Sequence, residues 1–366
     1  MDELARLVEQ LVPNAEVLHV ERLRGSPRAT VHRVRVRSGP GLVDSVVVKA
    51  YVSAGEGYVR EASALATLPP NAPAASLLGE SASPAAVLMG DLGAGISLAD
   101  VLLSTDAARA RDTLCAWARA LAMLHAATAN LREKFAAELA GRQADAPVAT
   151  DSMPTRLHDA AISLAELGNA AGLDWPPSAG QELVGLSERL HPNATAALSP
   201  TDACPDNNVL VGDEVYLVDF EGASFWHVAW DAAYLRVPWP SCWCSWNLPK
   251  YVADEAMEHY RDIMGSVFPY VARPEFEADV AAAVVGWAFL STSWFLRSAL
   301  DDDPPPKDSR VIAPSRKAMI LHRLAGAARM SEQARLPLLG ALAEQWRAQL
   351  TQRWPESALQ LAPAFR

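Results

Sequence analysis

The stretch Ser199-Pro200-Thr201-Asp202-Ala203-Cys204-Pro205-Asp206-Asn207-Asn208-Val209-Leu210-Val211-Gly212-Asp213-Glu214-Val215-Tyr216-Leu217-Val218-Asp219-Phe220-Glu221 decides how the chain is read. It holds an aspartate, an asparagine five positions on, a short apolar hairpin and a second aspartate at the far end. Val209 and Val211 alternate with Leu210, the turn Gly212-Asp213-Glu214 reverses the chain, and Val215–Phe220 is predicted to run back as a second strand. That hairpin returns Asp219 to the neighbourhood of Asn207. Their oxygens are hard ligands suited to a magnesium ion carried in with a nucleotide, and Asp202 can take the proton of an attacking hydroxyl. Asp, Asn and Pro crowd ordinary turns as well, so the whole constellation carries the phosphoryl-transfer reading, not Asp-x-x-x-x-Asn alone.

A chain of 366 residues, half of them hydrophobic, exceeds what one core usually serves, so two lobes are expected. The net charge of -11, from 32 basic and 43 acidic residues, argues against nucleic acid or an anionic membrane as partner and suits a cationic small molecule. Cys115, Cys204, Cys242 and Cys244 are too few for a disulfide framework; reduced thiols in a cytoplasmic protein are expected. Cys242-Trp243-Cys244 resembles half a metal clip, to which His227 and His259 could be recruited, but no second paired motif accompanies it. Met1–Val12 reads as an amphipathic helix without the basic start and apolar block of a signal peptide. Val280–Leu296 lacks any charged side chain and sits at the short limit for a bilayer span; a buried helix is expected. Asn193-Ala194-Thr195 is a glycosylation sequon that carries no weight without a secretion signal.

Towards the N-terminus the pattern is strand-like. Val17–Leu23 leads into a loop, and His32, Val34 and Val36 alternate with Arg33, Arg35 and Arg37, predicting an antiparallel strand with its arginines in water. After the turn Ser38-Gly39-Pro40-Gly41, the apolar strand Val43–Tyr51 contains Lys49, costly there unless its ammonium is partnered. Glu61, one turn inside a helix predicted over Gly57–Leu68, is the candidate partner; such a pair can hold a nucleotide's phosphates. Ser26, Arg28 and nearby main-chain N–H groups are candidates to cover them. Strands are predicted at 75–79 and 85–89. The connector Gly90-Asp91-Leu92-Gly93-Ala94-Gly95 then reads as a hinge, where the Gly90 carbonyl and the Leu92 N–H could meet an adenine edge, or as a plain linker.

Beyond the hinge the periodicity is helical. Ser97 is the predicted cap of a short helix, and Ser104 or Thr105 of the next, which carries Leu114, Trp117, Leu121 and Leu124. Further helices are predicted toward Leu139, over 154–171, 178–190, 254–265, 274–300, 313–330 and 334–353, with a tryptophan-rich stretch over 225–246 and an acidic loop at Asp301-Asp302-Asp303. Trp226, Trp239 and Trp243 are candidates for a substrate wall, with core packing as the commoner use of such residues. His125 reads as a hydrogen-bonding structural histidine.

The order strand lysine, helix glutamate, hinge, helical insert, Asp202-x-x-x-x-Asn207 and Asp219-Phe220-Glu221 resembles that of the aminoglycoside phosphotransferase family, relatives of the protein kinases. The resemblance covers roughly residues 18–300, with its specific motifs between Ser199 and Asp231. It implies an α+β, bilobal protein-kinase-like fold: residues 1–92 as an N-lobe with a small antiparallel sheet, and 93–366 as a mostly helical C-lobe. It implies ATP or GTP and Mg2+ as cofactors, Asp202 as catalytic residue, Asn207 and Asp219 as metal ligands, Lys49 and Glu61 as the phosphate-holding pair, and Asp231 as a brace of the catalytic loop. The acceptor would be a hydroxyl of an aminoglycoside, another antibiotic or natural product, or a choline-, sugar- or amino-acid-type metabolite. A nucleotide-binding pseudoenzyme acting through a partner is the alternative. The family's usual His-Gly-Asp is here Pro200-Thr201-Asp202, which removes a loop-bracing histidine. Asp206 rivals Asp202 as base, and Asn208 rivals Asn207 as ligand; the five-residue spacing and the strand alternation favour Asp202 and Asn207.

Overall fold

The computed structural model describes residues 2–37, 43–143, 152–192, 195–301, 313–355 and 357–366. The turn at 38–41, most of the sequon at 193–195 and the acidic loop beyond Asp301 lie outside these residues. The N-terminal part is built from α1 (Asp2–Leu11), β1 (Glu16–Gly25), β2 (Ala29–Arg37), β3 (Val43–Tyr51), α2 (Glu56–Thr67), β4 (Leu77–Ala82) and β5 (Ala85–Gly90). The strands form one antiparallel sheet in the order β1-β2-β3-β5-β4.

The alternation of side chains along these strands sorts two faces. Val34, Val36, Val46, Val48, Ala86 and Leu88 pack on one face against Leu7 and Val8 of α1. Val87 and Met89 join the opposite face, where Val59, Ala62 and Leu65 of α2 are buried. Lys49 lies between Val31 and Val87 in register, and alternation turns it to the α2 side, where Glu61 is 1% exposed. The arginines of β2 divide: Arg35 and Arg37 are exposed as expected, but Arg33 is half-buried. Its Nε and Nη2 donate to the two Asp91 oxygens at 2.7 and 3.0 Å, and Nη2 also donates to the Gly93 carbonyl at 2.9 Å. A carboxylate at the connector captures a strand arginine that periodicity alone assigned to water.

The helical part follows as β6 (Ile96–Ser97), α3 (Leu98–Leu102), α4 (Ala107–Thr128), α5 (Arg132–Gln143), α6 (Met153–Ala171), α7 (Pro177–Arg189), β7 (Ala196–Ser199), β8 (Asn208–Val211), β9 (Glu214–Leu217), β10 (Ser224–His227), α8 (Ala229–Ala232), α9 (Lys250–Met264), α10 (Pro274–Leu300), α11 (Arg316–Ala334) and α12 (Pro337–Arg353). Together the sheet and the helices make a bilobal α+β fold. Ser97 caps α3 in a reciprocal box with Asp100. α4 is capped by Asp106, one or two residues beyond the predicted Ser104 or Thr105; the Ser104 hydroxyl donates to the Val101 carbonyl at 2.7 Å and accepts from the Asp106 N–H at 3.2 Å, in the turn before the helix. Arg335, left-handed at φ 55°, closes α11, so the last helix begins at Pro337 and not at 334. α10 is the long apolar helix, and 83% of its most apolar window is buried inside the protein. Gly286 lets Trp230 lie against it: a Cβ there would stand 2.7 Å from the Trp230 ring.

Candidate active site

β7 delivers the chain to the loop that holds Asp202. Its Ser199 hydroxyl donates to Asp231 Oδ1 at 3.0 Å and accepts from the Thr201 N–H at 2.9 Å. Thr201 is left-handed (φ 63°) and its hydroxyl donates to the Gly222 carbonyl at 2.9 Å, tying this loop to the one after Asp219. Asp231, fully buried, also accepts from Trp226 Nε1 at 3.0 Å and meets His125 Nε2 at 3.1 Å, while His125 Nδ1 contacts the Tyr260 hydroxyl at 2.8 Å. His125 is thus a structural histidine, as the sequence suggests, and Trp226 and the fully buried Trp239 belong to the core.

A 3-10 turn over Pro205–Asn207 follows. The Asn207 amide Nδ2 donates to the Asp202 carbonyl at 3.0 Å, and its main-chain carbonyl accepts from Val218 N–H at 2.9 Å. Asn208 turns the other way: it is fully buried, donating to the Ala203 and Cys204 carbonyls and accepting from Trp117 Nε1 at 3.1 Å. β9 ends at Leu217, short of the expected Phe220, because Asp219 is itself left-handed at φ 69°. That bend turns Asp219 towards β3, where its Oδ1 accepts from Lys49 Nζ at 2.5 Å.

Lys49 Nζ also donates to Glu61 Oε2 at 2.5 Å and lies 3.5 Å from Glu221 Oε2. Tyr51, two positions on in the strand and so on the same face, donates its hydroxyl to Glu61 and sets its ring 5.2 Å from Nζ. Burial opposes the charge on Lys49, yet Glu61 and Asp219 hold its pKa above the ordinary value. Burial also raises Glu61, with Lys49 pulling the other way. The two shifts have different causes: burial raises Glu61, while the neighbouring carboxylates of Glu61 and Asp219 raise Lys49.

Asp202 is partly exposed, its Oδ1 accepting from the Ser241 hydroxyl at 3.0 Å. Desolvation by the surrounding loops, with Asp206 and Asp219 adding to it against Ser241 and Arg156, raises its carboxyl to about 6. Asp206 faces Trp243, whose Nε1 donates to it at 3.2 Å, so of the three candidate tryptophans Trp243 is the one at the site. Ser26 folds the β1–β2 loop by accepting from the Arg28 and Ala29 N–H groups at 3.1 Å each, and Arg28 pairs with Glu221. Gly90 ends β5, accepted by the Ser76 carbonyl, and Leu92 lies in the irregular connector beyond it. Glu221, Tyr51, Ser241 and Arg156 were not singled out from the sequence. Strand alternation from Lys49 points to Tyr51; no local signal marks Ser241.

The cysteines correct an expectation. Cys204 and Cys242 are joined as a disulfide across 38 residues, Cα to Cα 5.6 Å, while Cys115 and Cys244 are free and buried. Neither histidine of the expected Cys242–Cys244 clip joins it: Cys242 is bonded to Cys204, His227 Nδ1 accepts from the Ala229 N–H at 3.2 Å, and His259 lies with Cys115 and Glu255. Sparse, widely spaced cysteines carry no sequence-level sign of pairing; the fold brings these two together on the loops flanking Asp202.

For a divalent cation the available donors fit. With its amide nitrogen bound to the Asp202 carbonyl, Asn207 has its side-chain oxygen left to offer, and Asp219 adds carboxylate oxygen.

No protein-family model and no curated protein sequence matches the chain. Among solved structures it resembles an ethanolamine kinase from Plasmodium vivax (14% identity, TM-score 0.51, 91% of this chain and 85% of that one). It equally resembles a choline kinase from Cryptosporidium parvum (13% identity, TM-score 0.51, 93% and 99%). The chain has the fold of the small-molecule kinases. Within it, Lys49 of the sheet meets Glu61 of α2 and Asp219 of the loop beyond β9.

Proposed function

We propose that this protein is a small-molecule phosphotransferase that moves the γ-phosphate of ATP or GTP to a hydroxyl of its acceptor. The observation that carries the reading is the double bonding of Lys49, to Glu61 of α2 and at once to Asp219 of the loop beyond β9. The Lys49–Glu61 pair is buried and costs desolvation that a surface pair does not, so its upkeep points to a role.

In this reading Asp202 orients the acceptor hydroxyl and takes its proton, with Ser241 fixing the carboxylate. Lys49 exchanges Asp219 for the non-transferred phosphates, Glu61 and Tyr51 keeping its ammonium in place. Asn207 and Asp219 would hold magnesium, which supplies charge neutralisation on the phosphates when bound. Arg28, now paired with Glu221, and the folded loop at Ser26 would cover the nucleotide, and Gly90 and Leu92 would meet the base. The acceptor class extends from aminoglycosides and other natural products to amino alcohols, sugars and amino-acid derivatives. Fold does not choose among them.

The test is turnover of ATP and GTP by the purified protein with magnesium across a panel of aminoglycosides, nucleoside antibiotics and amino alcohols. For the accepted substrate, Asp202→Ala is expected to lower kcat by about 10²–10⁴-fold with nucleotide KM changed only a few-fold. An Asp202→Ala protein transferring at the wild-type rate would sink the assignment. Metal-dependent stabilisation by nucleotide without turnover of any acceptor would favour a nucleotide-binding module acting through a partner.

A further inference from the structure

We propose that Ser241 is a positioning residue for Asp202 and that the Cys204–Cys242 disulfide holds it there, making phosphate transfer sensitive to reduction of that bond. The proposal rests on Asp202 being the base of the transfer reaction. Its structural support is independent of that reading.

Cys204 lies two residues beyond Asp202 and directly before the 3-10 turn that carries Asp206 and Asn207. Cys242 lies directly after Ser241, on a segment from Trp239 to Trp246 that contains neither helix nor strand. A segment without a hydrogen-bonded ladder takes its place from its tertiary ties. Ser241 shares a side-chain hydrogen bond with the buried Tyr234, and towards the Asp202 loop the ties drawn among the described residues are these. Ser241 donates to Asp202 at 3.0 Å, Trp243 donates to Asp206 at 3.2 Å, and between these two hydrogen bonds stands the covalent bond. On its far side the segment is fixed separately, Ser245 donating to the Pro238 carbonyl at 2.5 Å and accepting from Arg323 Nη2 at 2.8 Å. Both bonded cysteines are buried, at 5% and 2% exposure, so the cross-link is part of the floor beneath the Asp202 loop.

The crosslink therefore sets the distance between the two loops whose side chains meet at Asp202. A carboxylate that must line up with an acceptor hydroxyl loses rate when its rotamer is freed, because orientation contributes much of a proximity effect. Reduction is a two-electron exchange. A dithiol gives up two electrons and two protons, the Cys204–Cys242 bond breaks to two thiols, and the dithiol closes to its own disulfide. Ser241 is then held to the Asp202 loop only by hydrogen bonds.

The test measures transfer and loop protection on the whole protein, oxidised and after dithiothreitol, with the crosslink followed by mass. Reduction is expected to lower kcat about 10-fold or more with nucleotide KM unchanged, and reoxidation to restore it. Ser241→Ala should show a similar fall in either redox state, Ser241→Thr should recover most of the rate, and a Cys204→Ser/Cys242→Ser double variant should be slow and indifferent to dithiothreitol. Undiminished kcat in fully reduced wild type, or in Ser241→Ala, overturns the proposal. Hydrogen exchange of residues 202–208 requires no turnover: faster exchange on reduction supports the clamp even where no acceptor is phosphorylated, which would refute the transferase reading alone. Unchanged exchange refutes the clamp even where transfer is found.

Discussion

Replacing Lys49 with methionine separates what the buried cluster does for stability from what it does for chemistry. The variant keeps the length of the side chain and removes its charge, leaving Glu61, 1% exposed, without a cation. A carboxylate in that position takes up a proton instead of remaining charged. Burial already raises Glu61 above its ordinary carboxylate value, and removing the cation of a buried pair costs about 3 kcal/mol or more. The sign follows from linkage: the folded variant binds a proton that the unfolded chain releases, so its deficit is full at pH 7 and vanishes below the unfolded value. Urea denaturation should show Lys49→Met about 3 kcal/mol less stable than wild type at pH 7 and less than about 1 kcal/mol less stable at pH 5. Adding Glu61→Gln removes the titrating group, and the double variant should regain about 2 kcal/mol at pH 7 while phosphate transfer stays below about a hundredth of wild type. A deficit that is equal at the two pH values, or a double variant less stable than Lys49→Met, would refute the account of Glu61 as a buried carboxylate dependent on Lys49.

Three further outcomes follow from the packing. His227, 4% exposed, has its pKa lowered to about 4 by burial, and protonating Nδ1 would break its bond from the Ala229 N–H; stability should therefore fall as pH drops from 6.5 towards 4. His227→Asn, whose amide oxygen can accept the same bond, should lose up to about 3 kcal/mol less over that window in denaturation measured across pH. Gly286→Ala would set a methyl 2.7 Å from the Trp230 ring, in a core with a fixed aromatic stack, and is expected to cost about 1–3 kcal/mol with a matching fall in Tm. Asp231→Ala should cost about 3–5 kcal/mol, since it orphans the buried donors on Ser199 and Trp226 and leaves His125 without its carboxylate; no loss in urea denaturation would show that the brace carries no load.

The N-terminal sheet was readable because its constraints are local. Val43–Tyr51 was bounded to the residue, and a lysine after three valines announced a buried partner, which Glu61 supplies one helix later. Asn207 was separable from Asn208 by strand alternation alone, and the structure turns the second into a core clamp on Trp117. The left-handed backbone of Asp219 was not readable, because aspartate tolerates that conformation without demanding it. Arg33 was misplaced in water for a related reason: period-2 reasoning sees the strand, not the carboxylate of Asp91 that the connector brings to it 58 residues later. Ser241 meets Asp202 across 39 residues and Cys242 meets Cys204 across 38, through a segment with no periodicity to project.

The loop at Pro200 shows how such distance reshapes a sequence argument. A proline where the resembled family writes histidine removes one local brace, and from sequence alone the loop is left with less support. In the folded chain the bracing is spread over partners from four elements or loops: the Ser199 hydroxyl at the end of β7, the Thr201 hydroxyl reaching Gly222, the Asp231 carboxylate of α8, and His125 arriving from α4. Thr201 takes a left-handed turn immediately after Pro200, and it is held there at both its N–H and its hydroxyl. Each of these groups is buried and most have more than one bond, so the loop is braced by side chains other than that at position 200. The departure at Pro200 relocates the support of Asp202 into the core, and Asp231, where three of those bonds converge, is the residue whose removal should be felt most.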